Sequence, residues 1–252
     1  MPTSEYKDAD GRKVPGVTTI IGETLGWNKN QLMRWAARKE RAGISHEAER
    51  DEKAAIGTAT HAVIETFLSE ASTLHGAAVG DPAQEQRIQG IMVRAINQIV
   101  HTVPEWNQAK VMRACVGWAN WYGHHPGELI AIEPHLVSTK HGFGGTPDLV
   151  CRDNEGKLII VDWKTSAGIW PETAIQLAAY GIAWEEERGE RVDHLFGVKL
   201  DRDNATWADH WVETSARRAA ETCFLDLVEI DSLKERVQAG FVMTNSSYMS
   251  LG

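Results

Sequence analysis

The chain has 252 residues, enough for one large domain or a core with a helical extension, and enough to bury a sizeable interior. Hydrophobic residues make up 42% and charged residues 24%, ordinary for a soluble globular protein. No apolar run approaches the roughly 20 residues that a bilayer span needs, and the opening MPTSEYKDADGRK is not a signal peptide. The net charge of −9 argues against a protein that coats nucleic acid without specificity, yet leaves room for an enzyme with a local basic groove and acids gathered at a metal site.

Cys115, Cys151 and Cys223 are far apart and odd in number. They form neither a disulfide framework nor a metal-binding pattern, which points to a reducing, cytosolic compartment. Most of the ten tryptophans are expected in the core, with a few available to stack on bases.

The first segment, YKDADGRKVPGVTTII, reads as a short hairpin around an Asp10-Gly11 turn, followed by a Thr18/Thr19 cap. Apolar residues then recur at spacings of three and four. This predicts helices over QLMRWAARKERAG, HEAERDEKAAIGTATHAVIETFLSEA, PAQEQRIQGIMVRAINQIV and AKVMRACVGWANWYG, with STLHGAAVGDP as an interrupting loop. The character changes near residue 128. ELIAIEPHLVS, GTPDLVCRD and KLIIVDWKT are three strand-like runs separated by Gly-rich or Asp-Asn-Glu-Gly turns. PETAIQLAAYGIAWEEERG returns to helix, with Pro171 in its first turn and Gly189 near its end. HLFGVKL and TWADHWVET are two further strands, SARRAAETCFLDLVEIDSLKERVQAG is a closing amphipathic helix, and FVMTNSSYMSLG is a tail. The order predicts an α+β fold in three parts: a mostly helical region at 1–127, a core with its closing helix at 128–240, and a tail at 241–252.

In LIIVDWK, at 158–164, an apolar strand ends in an acid, a tryptophan and a lysine. An acid two places before a lysine says little alone, because Glu5-Tyr6-Lys7, Asp51-Glu52-Lys53 and Glu155-Gly156-Lys157 share it. Only Asp162 follows a full apolar strand. Residues i and i+2 of a strand share a face, so Asp162 and Lys164 point the same way at the strand's exit. Asp148 opens the preceding strand after a Gly-Gly turn. If the RDNEGK turn pairs the two strands, Asp148 lies near the same sheet end. Two carboxylates brought together repel unless a cation joins them. A hard divalent ion such as Mg²⁺ takes such oxygen ligands and keeps several waters. The lysine can then orient or activate a water for in-line attack on a phosphodiester. The competing reading is a cross-strand salt bridge.

Asp148 in TPDLV, followed by Asp162-Trp163-Lys164, resembles the signature of the PD-(D/E)XK nuclease superfamily. Three further features resemble its RecB-type exonuclease branch. Gln176-Leu177-Ala178-Ala179-Tyr180 on the next helix is similar to the QxxxY motif, with Gln176 and Tyr180 on one helical face. GTATHAVIE is similar to the helical histidine motif, with His61 as its histidine. Glu133 in AIEPHLVS falls on the strand before Asp148, where the branch often has an acid. VPGVTTIIGETLGW is similar to the N-terminal stretch of phage-encoded members.

The resemblance implies a restriction-endonuclease-like core, with a mixed central sheet flanked by helices and an added N-terminal helical region. It implies a metal-dependent DNA exonuclease, used in recombination, repair or replication, with Mg²⁺ or Mn²⁺ as cofactor. Asp148, Asp162 and Lys164 would be catalytic. His61, Asp148, Asp162 and the Trp163 backbone carbonyl would hold metal, with Glu65 and Glu133 as accessory acids. Gln176 and Tyr180 would hold the DNA backbone or the geometry of the site. The partners implied are single- or double-stranded DNA ends and a recombination or replication protein, with no membrane, in the cytoplasm of a host cell if the protein is phage-encoded. Some relatives carry four cysteines around an iron–sulfur cluster; the three scattered cysteines here predict that this chain lacks one. There is no GxxxxGK[ST] loop for a helicase motor. Arg34 to Arg41 (RWAARKER) is the basic, aromatic stretch best suited to wall a DNA channel. The alternatives are a flap or branched-DNA endonuclease, an inactive nucleic-acid-binding module on the same fold, and a structural α+β protein whose acids merely pair.

Overall fold

The computed structural model describes residues 5–71, 82–125, 127–166 and 168–241. The chain opens with a small hairpin, β1 (Tyr6–Lys7) and β2 (Lys13–Val14), in antiparallel register. Asp8 accepts the backbone N–H groups of Asp10 and Arg12, and Gly11 supplies the left-handed turn at φ 77°. Helix α1 (Val17–Thr24) starts at a Gly16 cap with no side-chain bond. The Thr18/Thr19 cap expected from sequence is therefore replaced by a cap at least two residues earlier, with both threonines inside the helix. Helices α2 (Lys29–Arg41), α3 (His46–Ala71), α4 (Pro82–Ile99) and α5 (Glu105–His124) follow, as the periodicity predicts. The predicted loop STLHGAAVGDP lies outside the described residues except for Pro82, and the tail does so beyond Phe241.

One of the three predicted strands is split and another is shortened. ELIAIEPHLVS becomes β3 (Glu128–Ile132) and β4 (Leu136–Ser138), because Glu133 adopts φ 44° and Pro134 follows it. GTPDLVCRD is reduced to β6 (Leu149–Arg152), and β5 (Phe143–Gly145), which pairs with β4, ends at its first residue. Thr146-Pro147-Asp148 lies between them; Pro147 has no N–H to give a ladder. Strand β7 (Leu158–Lys164) pairs antiparallel with β6 through the turn predicted for RDNEGK, in which Gly156 takes φ 79° and Asp153 accepts the N–H of Glu155 and Lys157. Helix α6 (Pro171–Arg188) carries the chain over to β8 (His194–Leu200), parallel to β7, and β9 (Trp207–Trp211) returns antiparallel. Helix α7 (Thr214–Gly240) closes the described chain.

The main sheet runs β3-β6-β7-β8-β9, with one parallel pair among antiparallel ones, so the fold is mixed α+β. Strand β7 is central, and alternation sends its side chains into two interiors. Val161 and Trp163 face a core shared with α3, α4 and α5; Leu158 and Ile160 face one shared with α1, α6 and α7. Burial on both faces explains why LIIV reads as a continuous apolar run. Trp163 is fully buried and meets Trp118 of α5 edge-on, with centroids 6.0 Å apart. The described helices include none long and apolar enough to cross a membrane.

Candidate metal centre

The end of β7 lies where the two cores meet. The register Leu149↔Val161 places Asp148, just before β6, level with Asp162. The two strand ends are tied beyond their ladder by the Trp163 backbone N–H, which donates to Asp148 Oδ2 at 2.8 Å. Both carboxylates are interior, at 5% and 3% exposure. Lys164, on the same face as Asp162, brings its Nζ to 2.6 Å from Asp162 Oδ2. Its side chain keeps 29% of its surface open.

Three other elements supply the walls. Helix α3 brings His61 Nδ1 to 3.0 Å from Asp148 Oδ1. Gly57, one turn earlier, allows that approach: a Cβ there would sit 3.2 Å from Thr165 Oγ1, just past β7. Glu133 stands past the end of β3, where its backbone N–H donates to the Asp148 carbonyl at 3.2 Å. A positive φ on a glutamate is strained, and here it turns the carboxylate into a cluster in which one donor atom each of His61, Glu133 and Asp148 lies within 4.8 Å of the others. From α6, Gln176 Nε2 donates to Asp162 Oδ1 at 3.3 Å and to the Tyr180 hydroxyl at 2.6 Å. Tyr180 packs on the backbone of Gly145, where a Cβ would come within 2.6 Å of the ring.

The charges respond to one another. Burial opposes a charge on Lys164, but Asp162 and Asp148 outweigh it and raise the lysine above its ordinary range. Burial raises Asp162, with Asp148 adding to the rise and Lys164 opposing it. His61 is also raised, since Asp148 and Asp162 outweigh its burial. Glu133 is pushed up to about 7 by burial, then by the charges of Glu65 and Asp148.

These residues fit a divalent cation. His61 Nδ1 and Asp162 Oδ2 are buried without a well-aligned hydrogen bond, although each lies within ion-pair distance of a neighbour. Carboxylate and imidazole donors crowded together repel less once a cation joins them, and both suit Mg²⁺ or Mn²⁺. The structure groups the predicted residues differently from the set that the family pattern implies. His61 and Asp148 sit with Glu133, expected only as an accessory acid, while Asp162 faces Lys164 and Gln176. Trp163 enters through its N–H on Asp148. Glu65 is exposed, one turn beyond His61. Gln176 and Tyr180 lie beneath Asp162, at 9% and 3% exposure, so the Tyr180 side chain is placed inside the protein rather than on a DNA-facing surface. Sequence reasoning missed Gly57 and Gly145, whose signal was a glycine one turn before the histidine and the Gly-Gly before TPD. It also missed Tyr6, whose hydroxyl bonds Thr146 Oγ1 at 3.0 Å and pins the approach to Asp148.

A family model for the PD-(D/E)XK nuclease superfamily matches residues 32–245. The chain belongs to that superfamily, whose members are nucleases that use divalent metals. No curated protein matches the chain. Among solved structures, SSO0001 is 16% identical, over 68% of this chain and 85% of that one, with a TM-score of 0.31. The alkaline exonuclease LHK-Exo from Laribacter hongkongensis is 14% identical, over 72% of this chain and 92% of its own, with a TM-score of 0.33. Its complex with dAMP gives 14% identity, 71% and 96% coverage, and a TM-score of 0.30.

Proposed function

We propose that the protein is a Mg²⁺- or Mn²⁺-dependent deoxyribonuclease of the RecB-type branch that hydrolyses phosphodiester bonds from DNA ends, in recombination, repair or replication. The observation that supports this most is the convergence of Asp148, Asp162, Lys164 and His61 from three separate elements at one end of the sheet's inner strands. His61, Glu133 and Asp148 would hold the ion, with Asp162 beside them. A bound divalent ion supplies Lewis acidity and neutralises charge on the phosphate. Lys164 stays protonated next to two carboxylates, so it donates hydrogen bonds: it orients the attacking water and offsets charge on the phosphate oxygens. Gln176 and Tyr180 act as positioning residues by holding Asp162 Oδ1.

The test uses linear DNA labelled at either end, single- and double-stranded, beside a covalently closed circle, with Mg²⁺, Mn²⁺ or EDTA. Metal-dependent loss from an end, absent on the circle and in Lys164→Ala, supports the exonuclease. Cleavage of the circle would replace it with an endonuclease. No cleavage of any substrate would replace it with a binding module.

A further inference from the structure

Helix α2 is unusual in this fold because none of its 13 residues is buried. A helix normally owes its place to an apolar face in the core. Here, of the apolar residues, only Trp35 and Ala36 are half-buried, while Leu32 is 60% and Met33 69% exposed, and Trp27, just ahead of the helix, is 59%. The same helix concentrates positive charge in a chain of net charge −9. Lys29, Arg34, Arg38, Lys39 and Arg41 stand against one acid, Glu40. Lys39 is taken by Glu49 of α3, and Glu40 bonds His46. Among the described residues, Lys29, Arg34 and Arg38 show no carboxylate partner. Arg34, Arg38 and Arg41 recur at four and three residues, forming one stripe with steps of about 6 Å and 4.5 Å.

Position ties this surface to the candidate site. Helix α1, which leads into α2, begins against Gly145, three residues before Asp148. Helix α2 then packs against the first turns of α3, the helix of His61: Lys39 meets Glu49 at 2.7 Å, and the Trp35 ring lies 6.1 Å from that of His46 and 5.4 Å from Lys53 Nζ.

Phosphate groups account for the unpaired arginines but not for the exposed Trp27 and Met33 at the same end of the helix. Those side chains can meet nucleobase faces only where the bases are unpaired. We propose that α2 and the Trp27 turn hold an unpaired nucleic-acid strand, with Arg34 and Arg38 on its phosphates and Trp27 and Met33 on its bases, and so deliver a single-stranded end to the site. The proposal rests on the nuclease reading for what happens at that site, but the grip itself is measured apart from hydrolysis.

The test is fluorescence anisotropy in EDTA, with a labelled single strand and its duplex as probes and the full chain as protein. Arg34→Gln/Arg38→Gln should weaken strand binding about tenfold or more and lower the slope of log affinity against log salt by about 1.4, two phosphate contacts at about 0.7 each. Trp27→Ser/Met33→Ser should weaken the single strand about fivefold or more while duplex binding stays unchanged. All four positions are at the surface, and thermal melting confirms that the variants fold. Unchanged binding in both double variants overturns the proposal. So does an equal loss on strand and duplex from the apolar pair, or tighter binding to anionic phosphatidylserine vesicles than to the strand. If wild type binds the strand through α2 yet hydrolyses nothing with Mg²⁺ or Mn²⁺, the grip stands and the nuclease reading falls.

Discussion

Strand β7 has the same spelling at both ends. Glu155-Gly156-Lys157 leads into it and Asp162-Trp163-Lys164 leads out, each an acid two places before a lysine. The entrance is a solvated turn in which Glu155 and Lys157 are both exposed. At the exit, Asp162 is buried, its lysine is held at 2.6 Å, and Asp148, His61 and Gln176 close around it. The difference lies in the centre residue and in what surrounds it. Gly156 frees the backbone for a turn, whereas Trp163 drives its ring into the core and so anchors the acid and lysine on either side. An acid and a lysine become chemistry when a sheet end buries them beside other charges, and remain a solvated surface otherwise.

Substitutions at the two ends sharpen that contrast. Lys164→Ala or Asp162→Asn should lower DNA hydrolysis by about 100-fold or more, as loss of a preorganised charge at a phosphoryl centre does. Glu155→Gln and Lys157→Ala should leave the same end-label assay within experimental error. The stability contrast comes next: Trp163→Ala should cost about 3–5 kcal/mol in urea unfolding, as for a large aromatic removed from a packed core. Lys157→Ala should stay within about 0.5 kcal/mol. An equal loss at both ends would break the comparison.

The third contrast is in pH. Glu133 is raised to about 7, so between the ordinary glutamate range and 7 the folded state binds more protons than the unfolded state. That contribution to the stability of the metal-free protein is present at acid pH and is lost as pH rises through about 7. A cation at His61, Glu133 and Asp148 competes with that proton. The rise in melting temperature caused by Mn²⁺ should therefore be small near pH 5.5 and grow toward pH 8, with a weaker dependence in Glu133→Gln, where the raised His61 still has to lose a proton. A rise independent of pH would remove Glu133 from the site. Among the residues of the site the smallest effect is expected at Tyr180→Phe, which deletes the acceptor for Gln176 Nε2 and should cost about 0.5–1.5 kcal/mol with a modest fall in rate.

Much of this was legible in the sequence because strand and helix periods are local. The α2–α5 helices, β7, α6 and α7 follow from spacing. The pairing of β6 with β7 follows from one turn, and it carries Asp148 to Asp162. What escaped depends on a single backbone choice or on packing from afar. Pro134 is a local sign that the ELIAIEPHLVS run breaks, but nothing local marks Glu133 as the residue that takes φ 44°, and with that the turn that brings Glu133 to His61 and Asp148 escaped. The roles of Gly57 and Gly145 appear only once Thr165 and Tyr180 stand against them.

The central claim is that the exit of β7 binds a divalent cation through Asp148 and its neighbours. Calorimetric titration of Mn²⁺ into the wild-type protein and into Asp148→Asn, with melting curves to verify that both fold, tests it most directly. The account predicts saturable binding in wild type that is lost in Asp148→Asn. Equal binding in both, or none in either, would contradict it and return the cluster to a set of buried ion pairs.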